Sequence, residues 1–234
     1  MLREAGFSVG FYTSPHLISP RERIRIDGKA LSETAWCKAF ERVQAGAEAL
    51  LVRGVSPTYF EYHTAMAVAA FDAARVDFVV WETGMGGRLD ATNAIPPASK
   101  AAAIITGIAL EHQQYLGSTL AQIAGEKAGI LCPGTPVFTG IMPPEALAVI
   151  RARAAELAVP CFSVAATDVP VPAAGETEAG QCLCRHGRRF DLSLRGVMQR
   201  RNAALALAVM EELGRRYGFD WEATLPGLAK VKWP

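Results

Sequence analysis

No stretch of this 234-residue chain comes near the roughly 20 consecutive apolar residues that a membrane span requires. No secretory leader is expected either: Met1-Leu2-Arg3-Glu4 has charge but no apolar region behind it. An excess of charge is also missing. Lys and Arg number 24 against 23 Asp and Glu, a formal net charge of +1, which argues against a nucleic-acid binder working by bulk electrostatics. Cysteine is sparse, and its odd count of five suggests no disulfide framework and fits a reducing cytosol. Cys182 and Cys184 are separated by one residue and have no second pair, so a zinc site is not expected. Charged residues make up only 20% beside 50% hydrophobic ones, which excludes general disorder and supplies a sizeable core. The expectation is a cytoplasmic, monomeric globular protein of one large domain, with neither nucleic acid nor membrane as partner.

What is present is organised around residues 77–93, DFVVWETGMGGRLDATN. Phe78-Val79-Val80-Trp81 has the β-branched and aromatic character of a buried strand. Glu82 closes that run, and a glycine turn, Gly84-Met85-Gly86-Gly87, follows. A strand delivering a carboxylate into a glycine loop is the arrangement of nucleotide sites on parallel sheets, where ligands bind beyond the strands' carboxyl ends. Arg88, Asp90, Thr92 and Asn93 then place four polar side chains in six positions. Alone, the stretch would equally suit a surface turn after a core strand.

Two other apolar runs end in chemistry-bearing residues. Residues 7–13 (FSVGFYT) lead into Ser14-Pro15-His16, and residues 101–106 (AAAIIT) are closely followed by Glu111-His112. Parallel strands bring their carboxyl ends to one edge, so Ser14, Glu82 and His112 are expected to converge there. Between these runs, residues 20–28 (PRERIRIDG) alternate Arg21, Arg23 and Arg25 with Ile24 and Ile26. That pattern suits a half-exposed strand, a solvated charged face, or a basic loop near an anionic substrate.

Helices are expected from Ser32-Glu33 to about 52, from about 64 to 75, over 118–130 behind Ser118 or Thr119, over 145–157 and over 199–217. Strands are expected at 137–138 and 161–163, and a hairpin over 181–194 turning at His186-Gly187-Arg188. Alternation of strand and helix gives an α/β fold with a mainly parallel sheet flanked by helices. Residues 2–6 look like the last turn of a helix without a beginning, so the chain is expected to start inside an element. Its end at Lys232-Trp233-Pro234 also looks cut.

Ser14-Pro15-His16-Leu17, Tyr59-Phe60-Glu61, the run from Glu82 to Asn93, Glu111-His112 and Glu126-Lys127-Ala128-Gly129-Ile130 occur in that order. Together they resemble bacterial dihydrofolate synthase/folylpolyglutamate synthase, of the Mur ligase superfamily, over essentially the whole chain. The resemblance implies the family's central, P-loop NTPase-like ATPase domain over 1–234, cut at both ends, with a small β lobe at about 168–196. It implies an ATP-dependent ligase that adds L-glutamate to dihydropteroate or folate through an acyl phosphate, with Mg2+ as cofactor. Ser14, Glu82 and His112 then match metal ligands; oxygen donors suit that cation, and an imidazole nitrogen is less usual. Thr58, Tyr59, Phe60 and Glu61, with Leu89, Asp90 and Ala91, match positions that hold the pterin end of the substrate. Lys127 matches a lysine carried as a carbamate, which turns a cation into an anion near the metal. Asn202 matches an ATP-contacting asparagine.

The chain departs from the family in two places. Met198 stands where a histidine precedes Gln199-Arg200-Arg201-Asn202, and no glycine-lysine-hydroxyl phosphate loop is present. Two alternatives remain at this level: a Mur-type cell-wall peptide ligase, and a non-catalytic folate- or metal-binding remnant.

Overall fold

The computed structural model describes residues 1–173, 177 and 180–232. Part of the expected connection over 168–180, and Trp233 and Pro234, lie outside the described residues.

The first sheet forms around β1 (Val9–Tyr12). A 3-10 turn over Pro20–Arg23 leads into β2 (Ile24–Ile26) and β3 (Lys29–Ala30), so the arginine-rich run is half turn and half strand. Ser32 accepts the Ala35 N–H and starts α1 (Glu33–Val52). Thr58 starts α2 (Tyr59–Ala74), which ends at Arg75 in the left-handed region, and β4 (Phe78–Trp81) follows. β1 takes β2 antiparallel on one side and β4 parallel on the other, giving the order β3-β2-β1-β4. Tyr12, Ile24, Met66, Ala67 and Phe71 close this sheet onto α2. Gly10 is required there, because a Cβ would lie 2.7 Å from the Phe71 ring.

The second sheet contains β5 (Ala103–Ile105), β6 (Val137–Thr139) and β7 (Cys161–Ser163), all parallel. Between β5 and β6 run α3 (Gln113–Leu116) and α4 (Leu120–Ala128); α5 (Pro144–Glu156) joins β6 to β7. Ala103, Ile105 and Val137 pack against Ile123, Ala124, Ala146 and Ile150 of these helices. The helix expected over 118–130 is shorter at both ends. Thr119 caps it, and the chain turns after Ala128 so that Gly129 can meet another loop.

The third sheet is antiparallel: β8 (Val171–Pro172), β9 (Gln181–Arg185) and β10 (Arg188–Leu192). His186 and Gly187, both at positive φ, make the two-residue turn that matches strand twist. Next come α6 (Val197–Tyr217) and the short α7 (Pro226–Ala229). One face of α6 packs on Phe138 and Val164, and another places Ala203 and Leu207 against Leu183, Phe190 and Leu192.

The parallel strands form two separately paired sets rather than one sheet. The end of α6 relates them. Arg216 donates to the Ala101 carbonyl just before β5 (3.2 Å), and the Tyr217 ring meets Phe78 at the start of β4 with centroids 5.1 Å apart. Both strands therefore start at the same end of α6, as a common parallel polarity requires. No ladder joins β4 to β5.

Replacing Gly10 by alanine forces a methyl group into the Phe71 ring, which is itself buried. Overpacking of this kind costs about 1–3 kcal/mol. Urea denaturation is expected to show a lower midpoint with an unchanged slope.

Candidate active site

Parallel pairing of β1 with β4 sets Tyr12 opposite Trp81, so the residues just past each strand arrive together. The Ser14 N–H donates to Glu82 Oε2 at 2.9 Å. The Tyr12 and Trp81 rings meet in a tilted contact, their centroids 4.7 Å apart. The Tyr12 hydroxyl donates to Thr64 Oγ1 (3.0 Å), which donates to the Phe60 carbonyl, and burial raises the phenol's pKa. Glu82 itself is exposed. The backbone of a strand-end serine thus meets a strand-end carboxylate, and both residues carry side-chain oxygens of the kind a hard cation takes.

His112 lies seven residues past the end of β5, at φ 50°, immediately before α3. No hydrogen bond among the described residues joins it to Ser14 or Glu82, and no group of three His, Cys, Asp or Glu there could hold a metal. Its neighbour Glu111 receives Lys127, with Nζ 2.9 Å from Oε1. Lys127 and Glu126, adjacent in sequence, therefore point to different partners, as helix geometry requires.

Glu126 pairs with Arg88. The guanidinium meets both carboxylate oxygens at 3.0–3.2 Å, and the Arg88 N–H donates to the Glu126 carbonyl at 2.9 Å. Two glycines permit this approach. A Cβ on Gly129 would fall 2.6 Å from Arg88 Cα, and one on Gly87 would fall 2.8 Å from Ile130 Cγ2. Asn93 Nδ2 donates to the carbonyls of Arg88 and Gly129, and Lys100 Nζ donates to Asn93 Oδ1 (2.8 Å) and the Ile130 carbonyl (3.2 Å). The glycine loop after β4 and the end of α4 are thus one interlocked unit. Arg88, Asn93 and Lys100 were not singled out as site residues; the sequence signal was the glycines, whose partner could not be read from spacing.

Thr58 and Glu61 are engaged with backbone. Thr58 Oγ1 accepts the Glu61 N–H, and Glu61 Oε2 accepts the Thr58 N–H at 2.7 Å, a reciprocal cap on α2. That backbone hydrogen bond holds the Glu61 carboxyl below its ordinary pKa. Phe60 lies against the glycine loop, since a Cβ on Gly84 would be 2.5 Å from its ring tip. Asp90 caps the turn over Ala91–Ala94: Oδ1 accepts from Thr92 N–H and Oγ1, and Oδ2 from Met85 N–H. Tyr59 and Leu89 are left facing solvent, 57% and 80% exposed, while Ala91 is half-buried. Asn202 is exposed in the second turn of α6, and its Nδ2 donates to Gln199 Oε1 at 3.3 Å.

No family model matches the chain. Among curated proteins, it is 39% identical to a dihydrofolate synthase/folylpolyglutamate synthase of Bacillus subtilis, over all of this chain and 56% of that protein. It is 34% identical to the mitochondrial folylpolyglutamate synthase of Homo sapiens, over 97% of this chain and 37% of the other. Among solved structures, the apo form of the L. casei enzyme superposes with a TM-score of 0.87 at 31% identity, covering 100% of this chain and 58% of that one. Folylpolyglutamate synthase of Mycobacterium tuberculosis, complexed with ADP and AMPPCP, gives 0.86 at 33% identity, covering 100% and 54%. The chain spans between 37% and 58% of the length of these relatives.

His63 links the wall of the site to pH. Its Nδ1–H donates to the Tyr59 carbonyl (2.8 Å), its ring lies 4.0 Å from Tyr59, and burial lowers its pKa. The fold therefore holds the neutral imidazole, whereas the unfolded chain takes up a proton near pH 6.5. The His63 contribution is complete above that pH and is lost as pH falls below it toward the lower folded value. Thermal melts are expected to show a fall in Tm from pH 7.5 to 5.5 that is shallower in His63→Gln.

Proposed function

We propose, from this kinship with folylpolyglutamate synthases, that the chain forms the central part of an ATP-dependent ligase that joins L-glutamate to dihydropteroate or a folate. The observation that carries the reading is the meeting of Ser14 with Glu82 at the carboxyl ends of paired parallel strands, beside the glycine loop. Ligands of open parallel sheets bind at that edge. A solved relative described as an AMPPCP-folate complex superposes on the whole chain with a TM-score of 0.87.

In this reading the Glu82 carboxylate and the Ser14 hydroxyl hold Mg2+, with His112 as a further ligand. When bound, the ion neutralises charge on the transferring phosphate. Exposed Tyr59 and Leu89 face the rings of the substrate, while the Thr58–Glu61 cap and the Asp90 turn fix their backbones. Phe60 supports the glycine loop from below, Ala91 lines it, and Asn202 contacts ATP from α6. Activation of the substrate carboxylate as an acyl phosphate makes its carbonyl carbon open to attack by the glutamate amine, with phosphate as leaving group.

Lys127 fits a carbamate with one consequence. The unmodified ammonium is paired with Glu111, and carbon dioxide on Nζ would reverse its charge and repel that partner. Carbamylation therefore frees Glu111 and turns the lysine toward a cation. We place the compartment in the cytoplasm and the working form as a monomer.

The purified chain is expected to bind dihydropteroate in equilibrium dialysis and to ignore a UDP-sugar peptide; the opposite preference would replace the folate reading with the cell-wall one. Labelled bicarbonate should give a carbamate carbon signal by NMR that disappears in Lys127→Ala, and its absence from the native chain would sink the modification. The sequence contains no glycine-lysine-hydroxyl loop to hold a triphosphate. Loss of a single preorganised donor typically costs about 10²–10³ in rate, so phosphate release from ATP, Mg2+, dihydropteroate and glutamate is expected to remain at background. Turnover at the rate of an intact ligase would show that other residues hold the phosphates.

A further inference from the structure

The three arginines of the run Pro20-Arg21-Glu22-Arg23-Ile24-Arg25 have different environments. Arg21 lies 3.7 Å from Glu33 and donates to the Leu31 carbonyl, and Arg25 donates to the Glu22 carbonyl. Both are only half-buried. Arg23 is 8% exposed, and among the described residues it pairs with no carboxylate. Its recorded contacts are two rings and a hydroxyl. Nε donates to His16 Nδ1 at 2.9 Å, the guanidinium carbon sits 5.5 Å from the Tyr59 ring centroid, and the Tyr12 hydroxyl lies close by. The nearest acid in sequence, Glu22, accepts the N–H groups of Leu17, Ile18 and Ser19 instead.

A buried permanent cation without a counter-charge is costly, and the usual resolution is a paired anion. Among the described residues none is paired with it. Tyr59, beside the guanidinium, is 57% exposed, and the turn that carries His16 also holds Leu17 and Ile18, exposed by 70% and 92%. That turn also carries Ser14, whose N–H is on Glu82. The exposed Tyr59 ring beside a buried guanidinium gives an aromatic rim that suits a ligand flat at one end and anionic at the other. A small inorganic anion would leave the rim uncovered.

We infer that Arg23 is the group that recognises the carboxylate of an aromatic acid lying against Tyr59, and that it sets the preference for the acid over its neutral analogue. This rests on the ligase reading, in which the acceptor is such an acid, and assigns the acceptor carboxylate a specific partner. His16 holds the guanidinium in register, and the forked donors remaining on Arg23 match the two carboxylate oxygens.

The experiment is a titration of the 15N-labelled chain, following the arginine Nε–H signals by NMR, with the Arg23 signal assigned from its loss in Arg23→Lys. The probes are pteroate, 4-aminobenzoate, the amide of each, and inorganic phosphate. Both acids are expected to move the Arg23 signal and to bind about 10- to 100-fold more tightly than their amides, the range for a charge-assisted hydrogen bond. Arg23→Met is expected to bind acid and amide alike, and Arg23→Lys to keep part of the preference. If Arg23→Met does not fold, the native signals and Arg23→Lys still decide. Pteroate binding that leaves Arg23 unmoved, with equal affinity for acid and amide, overturns the inference and leaves the folate reading standing. If 4-aminobenzoate moves Arg23 while pteroate fails to bind, the inference holds and the folate reading falls. Phosphate acting where neither acid does, or silence from every probe, overturns the assignment.

Discussion

Arg88 and Gly129 approach so closely that a methyl group on Gly129 would overlap the arginine's Cα and Cβ. Much of the candidate site is arranged around that contact. It brings the loop that follows β4 onto the turn that follows α4, where Arg88–Glu126 and the Asn93 bridges fasten the two. Glu82 precedes one of these segments, and Lys127 lies in the last turn of the helix before the other. Their mutual position is thus set by backbone packing, with side chains added to a frame that already exists.

The same economy recurs at the substrate wall. Thr58, Glu61 and Asp90 each satisfy backbone N–H groups, so their polarity is used in fixing a helix start or a turn. A ligand at this wall meets the aromatic and aliphatic surfaces they position. Substitution at these positions would first disturb the local conformation and only through it any affinity.

Much of the fold was legible in the sequence, and for identifiable reasons. Ser32, Thr119 and the His186-Gly187 turn are local signals whose partners lie within a few residues, and each element they bound is present. The meeting of Ser14 and Glu82 followed from strand polarity alone. Long-range facts were not legible. Spacing gave no sign that Arg23 would be buried while Arg21 and Arg25 stayed half-exposed, because that depends on which residues of α2 face the turn. Nor could it show the parallel strands divided into two sets. Thr58 and Glu61 have the spacing of a reciprocal cap, a local signal that was open to reading but was outweighed by their resemblance to substrate-holding positions.

One helix touches every sheet. α6 packs Leu205 and Val209 in the cluster around Phe138, sets Leu207 against the hairpin, and ends with Tyr217 on Phe78 of the first sheet. Loss of that helix would expose apolar surface in all three layers together, so no layer gains by opening alone. The described portion should therefore respond to heat or denaturant as a single cooperative unit. Its protection against hydrogen exchange should be deepest along α6, at the amides of its buried central turns, and shallowest at the ends of the short strands it covers.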